Sequence, residues 1–206
     1  MMNRMCKSLH FGSLSERSLL KSLRFDSSIK VLLALLLMAT NLASRGQSIE
    51  ERITTIKNEY RQINSVIKYK TDTVEVTDES TESGCVIIYR DKNGEVRKVV
   101  KWLFFESGKY TEEYYAKDGK PFFVFTKVYR YNCPFYFDKL RAKEVGAKEW
   151  FDDKKTRVYE DRYYFNADQT LFQHIDSNKK IIRERGKLKE IEVELLKDFL
   201  RMTGQE

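Results

Sequence analysis

The chain has 206 residues, 33% of them charged and 41% hydrophobic, with a mean hydropathy of −0.57. A polytopic membrane protein is excluded, and the length fits one well-cored domain. Aromatic residues at 13% with only 2 prolines exclude a disordered chain, which lacks the apolar surface to offset the entropy of ordering. The formal charge of +7 does not read as a nucleic-acid footprint, because residues 1–46 alone carry +5 and the rest of the chain only +2.

That leading segment is predicted to be a secretory signal peptide spanning residues 1–46. Arg4, Lys7, Arg17, Lys21, Arg24 and Lys30 precede an uncharged apolar core at 31–39, and Ala43, Ser44 and Gly46 follow it. Positive, then apolar, then small is the order of an export signal. A membrane span needs roughly 20 apolar residues, so the alternative of an uncleaved anchor is the weaker one. The expectation is cleavage close to Gly46 and Gln47, a periplasmic or extracellular protein, and no stable membrane span afterwards.

A domain over 47–206 is then expected to begin on a helix. Ser48 and Glu51 have the spacing of a capping box, and Ile49, Ile53, Ile56, Tyr60, Ile63 and Ile67 recur at steps of four and three, one face of an amphipathic helix. Residues 70–84 are polar and acidic and read as a loop with at most a short edge strand. From Cys85 the period changes to two. Strands are predicted at 85–90, 95–104, 109–115, 122–131, 156–165 and 170–175, with a further short one at 180–183. The segment 132–155 interrupts them with Pro134 and a short helix over 138–148. Leu188, Ile191, Leu195, Phe199 and Met202 recur at helical spacing over 187–202, with Gly204 as the stop. The fold class is therefore α+β: an antiparallel β-meander of about six strands with the N-terminal and C-terminal helices on one face.

Three turns share a pattern. Tyr89 precedes Asp91-Lys92-Asn93-Gly94, Tyr115 precedes Lys117-Asp118-Gly119-Lys120, and Phe165 precedes Asn166-Ala167-Asp168. An aromatic ahead of a polar turn resembles the hairpin repeats of exported bacterial β-rich MORN-like and YwqK-like proteins, over about 90 residues. The resemblance implies a non-enzymatic sheet and carries no functional residue with it.

Catalytic chemistry has little to draw on. Beyond the leader, His174 is the lone histidine, and a half-exposed strand histidine is the plain expectation; a hydrolase-type enzyme would need it beside a carboxylate and a nucleophile. No Cys-x-x-Cys or His-x-x-x-His spacing supports zinc, so no metal and no cofactor is expected. The acidic pairs Glu112-Glu113, Asp152-Asp153 and Glu160-Asp161 are expected to be split by the pleat, since neighbouring strand residues point to opposite faces. Ion pairing with Lys98, Lys127 or Arg162 is their expected role. Cys85 and Cys133 form a candidate disulfide in an oxidising compartment. Three strand spacings, about 14 Å, nevertheless separate them in a simple meander, against a Cα reach of ~7 Å.

The distinctive feature is aromatic content: fourteen of the 36 residues at 102–137 are Phe, Tyr or Trp. Phe123, Phe125, Tyr129 and Tyr131 share one face of a predicted strand, with Tyr110 and Tyr114 as candidate neighbours on the strand before. One sheet face is expected to stay uncovered, and an exposed aromatic row marks an interaction site. The functional expectation is an exported, non-enzymatic domain, binding or structural in the cell envelope, which meets a protein, peptide or glycan through that face and not nucleic acid. An inhibitor or immunity-like partner protein is the remaining alternative.

Overall fold

The computed structural model describes residues 47–77, 79 and 81–205; the expected leader at 1–46 lies outside them. Helix α1 (Ile49–Ser65) opens on the capping box, with the Ser48 N–H donating to the Glu51 carboxylate at 2.8 Å and the Glu51 N–H to the Ser48 hydroxyl at 3.2 Å. Eight strands follow: β1 (Lys70–Val76), β2 (Ser83–Arg90), β3 (Val96–Phe105), β4 (Gly108–Lys117), β5 (Lys120–Arg130), β6 (Arg157–Phe165), β7 (Leu171–Ile175) and β8 (Ile181–Ile182). Helix α2 (Lys139–Glu144) lies between β5 and β6, and α3 (Arg185–Thr203) closes the domain on Gly204 in the left-handed conformation.

Every strand pairs antiparallel with its chain neighbour, giving a single sheet in the order β1 to β8. The fold is α+β with an antiparallel meander. The three aromatic-led turns are the β2–β3, β4–β5 and β6–β7 hairpins, which a meander brings to one end of the sheet. Each contains a positive φ, carried by Gly94, by Asp118 and Gly119, and by Gln169. At the opposite end Gly108 starts β4 so close to β5 that a Cβ there would stand 2.2 Å from the Tyr129 carbonyl oxygen.

Two predicted features are corrected. β1 is a full seven-residue edge strand paired along its length with β2, where a loop with at most a short edge strand was expected. Its side chains are exposed on both faces apart from half-buried Val76, so it carries no alternation to read. The helices also lie on opposite faces of the sheet, not on one. Tyr115, Phe123 and Tyr164 pack with Ile56 and Ile63 of α1. Tyr114, Val124 and Phe165 pack with Leu188, Leu195 and Phe199 of α3. Both faces of β4 and β5 are apolar, so each requires a cover, and one helix supplies each.

Candidate functional site

Helix α1 covers only part of its face. It lies toward the β4–β5 turn, where Glu59 pairs with Lys117 at 2.7 Å and Asn64 Nδ2 donates to the Tyr115 hydroxyl at 3.1 Å. Beyond the cluster it buries, Trp102, Phe104, Lys109, Phe125, Lys127, Tyr129 and Arg162 continue the same face across β3 to β6, as the registers Trp102↔Thr111, Lys109↔Tyr129 and Phe125↔Arg162 require. Cations lie against the rings: the Lys109 ammonium is 4.3 Å from the Tyr129 ring centre and 5.7 Å from that of Trp102. Lys127 is 4.7 Å and Arg162 5.2 Å from the Phe125 ring. Lys98 is neutralised by Glu113 at 2.7 Å and Arg162 by Glu160 at 2.6 Å. Lys109 and Lys127 make no ion pair with any described residue.

A groove of about 180 Å³ opens where α1 meets β5 and β6, lined by Ile56, Lys57, Tyr60, Phe123, Phe125, Arg162 and Tyr164. Its floor is aromatic and its rim carries two cations. Phe125 is shared between this groove and the cation-bearing rings, so the two form one continuous surface.

The six expected contact residues divide. Phe125 and Tyr129 are half-buried on this surface. Phe123 is core, 6% exposed and ringed by Tyr60, Tyr115 and Tyr164. Tyr131 is half-buried at the sheet end, its ring 5.1 Å from that of Phe151. Tyr110 and Tyr114 are corrected: they pair with Val128 and Val124 and so face α3. A β-bulge at Tyr115/Ala116 is the reason. Counted straight back from the turn, Tyr114 would oppose Phe123; one extra residue moves it to the other face. Trp102, Lys109, Lys127 and Arg162 were missed as site residues, although their position in the alternation puts each on the face of Phe125.

The α3 side holds a second cluster. Lys101, Glu112, Thr126 and Asp161 are successive partners across β3, β4, β5 and β6, a polar row in an apolar layer. Burial pushes the Glu112 carboxyl up to about 7, against the pull of the Lys101 ammonium. Lys101 is buried and paired with Glu79, with Asp198 at 3.9 Å. His174 is 7% exposed, not half-exposed as expected. Its ring stacks on Tyr163 with centres 4.4 Å apart, and Nε2 lies 2.7 Å from Asp161 Oδ1. Its Nδ1 is buried without a partner. Two of the three acidic pairs are split as the pleat requires: Glu113 and Glu160 face α1, Glu112 and Asp161 face α3. Asp152-Asp153 is not on a strand: Asp152 caps a 3-10 turn that starts at Asp153, its side chain accepting from the Lys154 N–H.

Cys85 and Cys133 are both free thiols, so the candidate disulfide is absent; they sit on β2 and just past β5, with two strands between. Among the described residues no group of three or more His, Cys, Asp or Glu side chains is placed to hold a metal ion. No helix among them is long and apolar enough to cross a membrane. Comparison with family models, with curated proteins and with solved structures finds no match.

Proposed function

We propose that the protein is an exported, non-enzymatic binding module of the cell envelope, periplasmic or extracellular once residues 1–46 are removed, and that its contact surface is the part of the α1-side face that α1 leaves uncovered. One observation carries this: Lys109 and Lys127 rest on aromatic rings with no carboxylate of the described residues at ion-pair distance. An ammonium over a ring gains about 0.5–1 kcal/mol when exposed and more when desolvated, so a partner that covers these pairs strengthens them. Trp102, Phe125 and Tyr129 are of the aromatic types enriched at interfaces.

A second reading, a hydrolase working through His174, draws on the His174–Asp161 pair. In such a site Nδ1 would be the base and would need a hydroxyl or thiol at hydrogen-bond distance; no described residue supplies one. The α1-side surface is therefore the better supported site.

Hydroxyl-radical footprinting tests the proposal by comparing the purified protein with the protein in its producing cells. Trp102 and Tyr129 should be modified freely when purified and be protected in cells, while Tyr136 reacts equally in both. Equal modification of Trp102 and Tyr129 in both settings would refute the contact surface.

A further inference from the structure

We propose, building on that contact surface, that its ligand is an extended peptide segment of a partner protein: one apolar side chain seated in the groove, followed by carboxylates at alternate positions that meet Lys127 and Lys109.

The spacing comes from the sheet itself. Lys127 opposes Thr111 and Lys109 opposes Tyr129, so the two lysines stand on adjacent strands, offset by two residues along them. Diagonal neighbours of this kind stand about 7–8 Å apart, close to the ~6.7 Å between alternate side chains of an extended peptide, a difference that a long lysine side chain takes up. Carboxylates two residues apart can therefore reach one ammonium each, where a helix would carry every second side chain around to another face. The groove continues the same diagonal, because the next step reaches β6 at Arg162, the partner of Phe125, and both residues line the groove. Its volume of about 180 Å³ suits a single branched or aromatic group, given that a dry cavity of ~150 Å³ accepts benzene.

Charge gives the ligand its sign. Glu113 and Glu160 are each within 3 Å of a cation, Lys98 and Arg162, which leaves the surface with the positive charges of Lys109 and Lys127 in excess. Their rings hold both ammonium groups in place before any ligand arrives, so little side-chain freedom is lost on binding. Two ammonium groups with no carboxylate partner among the described residues favour an acidic ligand over a neutral sugar chain, and alternate-residue carboxylates separate an acidic peptide from a uniformly charged polymer.

Fluorescence anisotropy of the purified protein with a labelled peptide Leu-Thr-Glu-Thr-Glu-Thr, capped at both ends, tests this against the same peptide with Gln for Glu. The Glu peptide should bind saturably, at least ten-fold more tightly than the Gln peptide, and weaken as salt rises. Lys109→Gln with Lys127→Gln should erase that ratio while lowering the melting temperature by no more than a few degrees, and Phe125→Ala should weaken both peptides. Equal affinity for the two peptides, a ratio that survives the double substitution, or no saturable binding overturns the inference. Displacement by an oligo-uronate as effective as by the Glu peptide overturns it too, assigning the surface to an acidic glycan. If both peptides bind equally and Tyr129→Ser weakens both, the contact surface stands and only its acidic preference falls; an absent footprint at Trp102 and Tyr129 defeats the surface itself.

Discussion

Ionising Glu112 inside the α3-side layer costs more than the neighbouring Lys101 returns, so its carboxyl keeps a proton up to about pH 7. Asp198 adds to the effect by placing a second negative charge nearby. The bound proton stabilises the fold fully below the ordinary carboxyl value of 4.5, and that contribution fades as pH rises through about 7. Linkage puts it on the order of 3 kcal/mol. Glu112→Gln keeps the shape and removes the titration. Its melting temperature should match the parent at pH 5 and exceed it by several degrees at pH 8.5, measured by thermal unfolding at both; the same gap between variant and parent at the two pH values would rule out a Glu112 that titrates near 7. The sequence shows that Glu112 and Glu113 part company at the pleat. It does not show that Thr126, Asp161 and Lys101 line up with Glu112, because that depends on the registers of three hairpins. His174 is misread for the same cause: its burial comes from Tyr163 across the ladder, not from Gln173 and Ile175 beside it.

The sheet treats its two edges differently. At one, β8 pairs only with His174 and Ile175, and α3 takes over the rest of β7. The Glu192 carboxylate accepts the Leu171 N–H at 2.8 Å, Arg185 donates to the Leu171 carbonyl at 3.4 Å, and Arg183 donates to Gln173 Oε1 at 2.8 Å. Bonds from Arg185, Lys189 and the Leu171 amide hold the Glu192 carboxyl down to about 2. Its stabilisation is present above the usual 4.5 and disappears as pH falls through about 2, opposite in sign to that of Glu112. Glu192→Ala leaves a buried N–H without a partner and should cost about 1–3 kcal/mol in denaturant unfolding; a loss below the error of that measurement would mean that the edge is held by other contacts. At the other edge β1 has no further strand beside it among the described residues, and Lys70, Asp72 and Glu75 disfavour its pairing with one. Such an edge shows no alternation in sequence, so the polar run at 70–76 read as a loop. Both long helices, by contrast, declare themselves through their stripes and their caps at Ser48 and Gly204. Which face each covers is not written in those stripes, which are the same whichever side of the sheet the helix takes.

Across the whole domain the two faces serve different ends. The α3 side spends its polar groups on internal pairs: Lys101 with Glu79, His174 with Asp161, Glu192 with Arg185. The α1 side is closed at the β4–β5 end and leaves Trp102, Phe125 and Tyr129 under cations toward the other. That division explains why aromatic density alone mixed core with surface. Phe123 and Tyr114 are core from opposite sides, Tyr129 is surface, and composition is blind to the difference. The assignment of contact to one face rather than the other can be read from a single photo-crosslinking comparison in the producing cells. Benzoylphenylalanine introduced at position 129, on the α1 side, is expected to give a discrete higher-mass adduct. The same probe at position 110, two strand residues from Glu112 on the α3 side, is expected to give none. Adducts from position 110 with none from position 129 would place the contact on the face of His174 and Glu112, and contact through the α1 side would be refuted.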